Sequence, residues 1–170
     1  MNFYQLLDES HTKTTTISIV EEIVGHPDKM DELICIFLTD NIRMSQRAAW
    51  PISYIAENKP EIIEQNLDKL LSKLEQPKIH DACIRNIFRA LQFINIPIDL
   101  EGVVLTKAFE YLNENKSTVA VKVFCMTVLE KLASKYPDIK NELDATISNQ
   151  LAEGSAAFIN RGTKILKKLK

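Results

Sequence analysis

Apolar positions along this chain fall into helical stripes that stop and restart at short proline-marked turns. After Pro60, the residues Ile63, Leu67, Leu70, Leu71 and Leu74 follow the i, i+4, i+7, i+8, i+11 spacing of one helix face. Leu100, Val104, Ala108 and Leu112 do the same after Pro97, and Ile139, Leu143, Ile147 and Leu151 form a thinner stripe after Pro137. Between these lie helices with a wider apolar arc: Ile84, Ile87, Phe88, Leu91 and Ile94 in one, Val121, Phe124, Val128, Leu129 and Leu132 in another. A wide arc belongs to a helix covered on two sides, a narrow one to a helix with one side in water. The turns share a plan as well. Pro27-Asp28, Pro60-Glu61, Pro97 with Asp99, and Pro137-Asp138 each set a proline and an acid where a helix begins. Proline loses nothing in a first turn, and an acid there meets the positive end of the helix dipole. The β-branched run Thr14-Thr15-Thr16 followed by Ile17, Ile19, Val20 and Ile23 has the local composition of a strand. Helix is the preferred reading, because the stretch Asp28–Thr39 needs a partner. Pro51 falls inside another helix and is expected to kink it near Trp50.

The alternation repeats with a period just under forty residues. Arg47-Ala48-Ala49-Trp50, Arg85-Asn86-Ile87-Phe88 and Lys122-Val123-Phe124-Cys125 are three copies of one segment, and Arg161-Gly162-Thr163-Lys164 opens a fourth. Their cations stand 38, 37 and 39 positions apart. A fixed period in this range is the signature of stacked helical hairpins. The expected organisation is one domain of four hairpins, at about 13–40, 41–77, 78–115 and 116–153, with a half-repeat at 154–170. Each hairpin has a first helix, a proline-marked turn and a second helix. The segment Ile165, Leu166, Leu169 with Lys164, Lys167, Lys168 and Lys170 reads as a terminal cap, apolar inside and basic outside. A basic tail meeting an anionic surface is the other reading of that segment.

Arg47-Ala48-Ala49-Trp50-Pro51-Ile52 and Ile84-Arg85-Asn86-Ile87-Phe88-Arg89-Ala90-Leu91 resemble the first helix of a HEAT repeat. The resemblance covers roughly residues 13–170. It implies an all-α, right-handed α-α superhelix of the HEAT or armadillo kind, with second helices on the concave face and first helices on the convex face. The family often sets an aspartate shortly before the arginine, so that the two residue types form a ladder. Asp40 is placed to serve Arg47, and Asp81 lies only four before Arg85. No acid closely precedes Lys122 or Arg161, so these cations are read as contacts that fix one repeat against the next.

Composition narrows the function. In 170 residues with a net charge of −2, no global pull toward nucleic acid exists. Sorted by hairpin position, however, the charges separate. The second-helix segments 27–40, 61–77, 97–115 and 137–153 hold sixteen acids against five bases, while the segments 41–60, 78–96, 116–136 and 154–170 are all net positive. An acidic inner face attracts basic peptides or protein surfaces and repels phosphate backbones. Opposite the apolar stripes, and beside them, stand Glu64, Gln65, Asp68, Lys69 and Ser72, then Thr106, Glu110 and Asn113, then Asn141, Asp144, Ser148 and Asn149. These twelve are the candidate partner-binding residues.

Signals for chemistry are absent. His11, His26 and His80 are too scattered for a metal set, and His80-Asp81 reads as a helix cap. With four glycines there is no phosphate-binding loop and no nucleophile elbow. No catalytic residue, metal ligand or cofactor is assigned. Cys35, Cys83 and Cys125 read as small buried hydrophobes in a reducing compartment. The N-terminus lacks the pattern of a signal peptide and no apolar run reaches membrane-spanning length, so the chain is read as cytoplasmic. The leading expectation is a non-enzymatic module that binds a protein or basic peptide, as a monomer or weak homodimer. The alternative is a nucleic-acid-associated protein using convex cations and the Lys-rich C-terminus. An enzyme like the alkylpurine DNA glycosylases, a HEAT-like family acting in a groove, is least favoured: Trp50 stands at the position of Phe88 one repeat on, where core packing is expected.

Overall fold

Every regular element in the computed structural model, which describes residues 1–169, is helical, with no strand among the described residues. Contacts divide the chain into two compact units, one from Met1 to Pro97 and one from Ile98 onward. The boundary falls at the proline turn of the third expected hairpin.

The first unit opens with a helix the repeat pattern did not include, α1 (Phe3–Glu9). Asn2 caps it, its side chain accepting from the Gln5 N–H, and Phe3 and Leu7 bury an i, i+4 pair. The threonine-rich stretch forms α2 (Lys13–Gly25), with the Thr12 hydroxyl accepting from the Thr15 N–H at 3.2 Å. A 3-10 turn at Pro27–Lys29 leads into α3 (Met30–Leu38). Next comes α4 (Ile42–Asn58), capped by Asn41, which stays one helix past the buried Pro51. The second helix of this hairpin is not continuous. It runs as α5 (Pro60–Glu64) and α6 (Leu67–Ser72), followed by a 3-10 turn at Lys73–Glu75. Asn66 leaves helical geometry between them (φ −125°, ψ 14°), yet the apolar stripe carries across the break through Ile63, Leu67 and Leu70, all buried. Then α7 (Asp81–Leu91) starts at His80, whose Nδ1 accepts from the Ala82 N–H at 3.0 Å, as a cap should.

Helices α2, α4 and α7 pack side by side as one layer, and α3 packs on α4 and α6 as the other. Phe3, Ile19, Ile23, Phe37, Ile52, Ile55, Ile63 and Phe88 fill the space between them, each essentially removed from water. The second unit repeats the scheme with α8 (Ile98–Asn113), α9 (Val119–Ala133), a 3-10 turn at Pro137–Ile139, α10 (Lys140–Leu151) and α11 (Ala156–Leu169). Here α9 packs on both α8 and α11 around Val104, Leu112, Val128, Leu129, Ile147 and Ile165.

Polar contacts follow the repeat. Gln76 Nε2 donates to Leu38 O at 3.1 Å, and Gln150 Nε2 donates to Leu112 O at 3.2 Å. Each glutamine thus closes a carbonyl at the end of the second helix one period earlier. Such carbonyls have no partner inside their own helix. Arg89 reaches Ser53 Oγ (2.7 Å) and Glu57 (2.5 Å), and Arg161 reaches Thr127 Oγ1 (3.0 Å) and Glu130 (2.9 Å), so first helices are also pinned to their predecessors.

Three side chains stand elsewhere than the sequence implied. Arg47 does not pair with Asp40. It donates to Leu7 O and Asp8 O, the open carbonyls at the end of α1. Trp50 is half-buried instead of buried like Phe88, stacked on His11 with ring centres 5.3 Å apart. Cys35 is exposed, because the buried face of α3 is set by Met30, Leu33, Ile34 and Phe37 and position 35 is out of phase with it.

Candidate binding surfaces

The twelve candidate residues divide between the units. On the first unit, α5 and α6 carry five. Gln65, Asp68, Lys69 and Ser72 are exposed and Glu64 is half-buried. Several already have work inside the fold. Glu64 Oε1 accepts from the Asn95 N–H at 2.6 Å. Lys69 Nζ meets Asp31 Oδ1 of α3 at 2.7 Å and Asn66 Oδ1 at 3.3 Å, and the bond to Asp31 holds its pKa above the ordinary lysine value. Ser72 Oγ donates to Lys69 O at 2.7 Å. Asp68 and Gln65 are left facing water.

On the second unit, α8 and α10 carry the other seven. Thr106 Oγ1 donates back to Gly102 O at 2.9 Å, and Glu110 pairs with Lys107 at 3.1 Å. Ser148 Oγ donates to Asp144 Oδ1 at 3.3 Å. Asn113, Asn141 and Asn149 are exposed. The structure brings together Asp31 with Lys69 in one unit and Asp144 with Ser148 in the other.

The acids of the second helices are thereby sorted. Glu101 is buried, and its carboxylate takes both Lys135 Nζ and the Tyr136 hydroxyl, contacts that lower its pKa below the usual range. Its role is structural. Glu32 likewise accepts from the Phe3 N–H at 3.0 Å. Asp28, Glu61 and Asp68 on the first unit, and Asp99, Asp138, Glu142 and Glu153 on the second, are exposed carboxylates that bind no other group of the fold among the described residues.

The cations of the first helices are sorted in the opposite sense. Arg43 pairs with Asp8 at 3.0 Å, Arg47 with the α1 carbonyls, Arg89 with Glu57, Lys122 with Gln150 (2.8 Å), and Arg161 and Lys168 with Glu130. Arg85, Lys164 and Lys167 remain exposed without such partners. Lys170 lies outside the described residues. Arg85 borders a cleft of about 150 Å³ that also holds His11, Trp50 and Asn86.

One side chain was overlooked in the sequence. Lys73 follows Leu70 by three and so continues the buried stripe, and it is 3% exposed. A lysine in register with an apolar face was the available signal. No helix of the described residues is long and apolar enough to cross a membrane, and no group of His, Cys, Asp or Glu among them is arranged to hold a metal ion.

Layered helical hairpins, joined by contacts that recur at one repeat spacing, define a helical-repeat scaffold. The chain belongs to the HEAT repeat domain family, whose model matches residues 3–169. Proteins of this kind are in general non-enzymatic scaffolds that commonly mediate protein interactions. No curated protein and no solved structure matches the chain.

Proposed function

We propose that this protein is a non-enzymatic scaffold that receives a basic segment of a partner protein on its second helices. The observation that carries the reading is the contrast in how charge is used. Most first-helix cations are engaged by carboxylates and carbonyls of the fold, Arg85, Lys164 and Lys167 being the exposed exceptions among the described residues. The second helices keep Glu61 and Asp68 in the first unit, and Asp99 and Glu142 in the second, unengaged and in water. Unengaged surface carboxylates steer and select cationic partners, and their contribution fades with salt. The neutral residues Gln65, Asn113, Asn141 and Asn149 beside them offer donors and acceptors to a peptide backbone.

The test is binding of a Lys/Arg-rich peptide library and of duplex DNA, each at two salt concentrations. Wild type is compared with a variant carrying Asp68→Lys, Asp99→Lys and Glu142→Lys, shown by circular dichroism to be folded. Peptides retained by wild type and lost by the variant are expected. Equal retention by both would remove the second helices from the role. Tighter binding of duplex DNA, with a steep fall as salt rises, would move the function to Arg85 and the C-terminal lysines.

A further inference from the structure

Between the loop that follows α3, the start of α4, the 3-10 turn and loop after α6, and the start of α7, the first unit leaves a cavity of about 250 Å³. Lys73 lines it and is almost wholly buried, yet no carboxylate of the described residues lies within ion-pair distance of its ammonium. Its one hydrogen-bond acceptor is Thr39 O at 3.0 Å, and the Phe37 ring lies beneath it at 5.8 Å. An ammonium has three N–H donors, so two are unclaimed. A buried ammonium with no carboxylate in contact is costly; Asp40 of the same lining acts on it only from beyond ion-pair distance, and burial holds the Lys73 pKa below the usual lysine range.

The remaining lining supplies more donors. His80 Nδ1 already accepts from the Ala82 N–H, so its proton sits on Nε2, on the other side of the ring. Lys78 is exposed at the rim and binds no group of the fold. The first turns of α4 and α7, two helices longer than two turns, also border the cavity through Ile42 and His80, and helix starts favour anions. The lining also holds acceptors, among them Ser45 and Asp40. Ser45 Oγ spends its proton on Phe37 O at 2.6 Å and accepts from Cys83 Sγ at 3.4 Å, which leaves it one lone pair, and Asp40 is a carboxylate.

We propose that this cavity binds a phosphate group, free or carried on a small molecule as a monoester, with Lys73 as its buried counter-ion. The acceptors set the choice of anion. Monohydrogen phosphate, and a monoester once it has taken up one proton (second pKa about 6), carries a P–OH that can donate to Asp40 or Ser45, whereas sulfate stays unprotonated and has no donor to offer them.

Thermal unfolding of the full chain in inorganic phosphate, glycerol 3-phosphate, sulfate and chloride at matched ionic strength tests this. Phosphate at tenfold its Kd is expected to raise the Tm of wild type by about 3–5 °C. Lys73→Met keeps the stem and removes the charge, so it is expected to fold at least as stably as wild type without phosphate and to lose the phosphate response. Lys78→Ala, an exposed change, should weaken the response without abolishing it. A shift with inorganic phosphate alone supports the site with free phosphate as its occupant, and a larger shift with the ester supports a carried group. No shift in wild type beyond chloride, an equal shift with sulfate, or an undiminished shift in Lys73→Met would each overturn the proposal.

Discussion

Two glycines in helix interiors offer a controlled test of the packing, because the same substitution should have opposite signs. Gly102 lies in α8 with nothing within 4 Å of where a Cβ would stand. Alanine there removes backbone freedom from the unfolded chain at no steric cost and should stabilise by about 0.5–1 kcal/mol. Gly162 lies buried in α11, and its missing Cβ would fall 2.8 Å from Ile147 Cγ2 and 3.3 Å from Leu151 Cδ2 of α10. Ile147 is fully buried, and its Cγ2 sits on a β-branched carbon with one strongly preferred rotamer in a helix, so it cannot swing aside. Overpacking of this kind costs about 1–3 kcal/mol, which outweighs the helix-propensity gain of about 1 kcal/mol. Gly162→Ala should therefore destabilise by up to about 2 kcal/mol, and the two variants should differ by about 0.5–3 kcal/mol. Urea unfolding followed by circular dichroism reads this directly, with the thermal midpoints moving about 2–4 °C per kcal/mol for a chain of this size. Ile147→Ala in the Gly162→Ala background should cost less than in wild type, since it removes the colliding methyl. A Gly162→Ala protein stabilised as much as Gly102→Ala, or equal costs for Ile147→Ala in both backgrounds, would refute the close approach of α11 to α10.

Other outcomes follow from buried groups. Leu70→Ala should cost about 2–5 kcal/mol and Phe88→Ala about 3–5 kcal/mol in chemical denaturation, because both side chains are enclosed by the layers of the first unit. Glu101 has a folded-state pKa below its ordinary value, so its share of stability is present above the unfolded pKa and is lost as pH falls through the folded one. Glu101→Gln should accordingly lower stability at neutral pH by about 1–2 kcal/mol and flatten the decline below about pH 4.5, read from Tm against pH. Cys35 should react with a thiol reagent in the folded protein, while Cys83 and Cys125, buried and with their thiol pKa pushed up by burial, should react only on unfolding.

Much of the fold was legible because its rules are local and periodic. Proline-acid turns mark helix starts wherever they occur, and Pro27, Pro60, Pro97 and Pro137 all stand at or just before the first turn of a second-helix segment. What escaped was local structure masked by a stronger signal. The stripe from Ile63 through Leu67 to Leu70 is the same whether the helix is whole or broken, so it hid the break at Asn66. The short α1 has no repeat partner in the sequence, and only Asn2 with the pair Phe3 and Leu7 announced it.

The candidate surfaces were legible to a lesser degree, because a charge tally counts side chains without saying what each one touches. Glu101 and Asp68 entered the tally as equals. One is a buried acceptor for Lys135 and Tyr136, and the other is bare in water. Arg47 and Arg85 occupy the same repeat position, yet the first closes the end of α1 and the second is unengaged. Repeat symmetry places such residues on equivalent helices, but their neighbours differ: α1 packs on α4, where Arg47 stands. Lys73 is a further instance: a cation in an apolar register, buried beside a cavity with no carboxylate in ion-pair contact with it. A fold maintained by hydrophobic stripes has no use for that charge, and Lys73→Met is the substitution that separates its cost to stability from any use in binding.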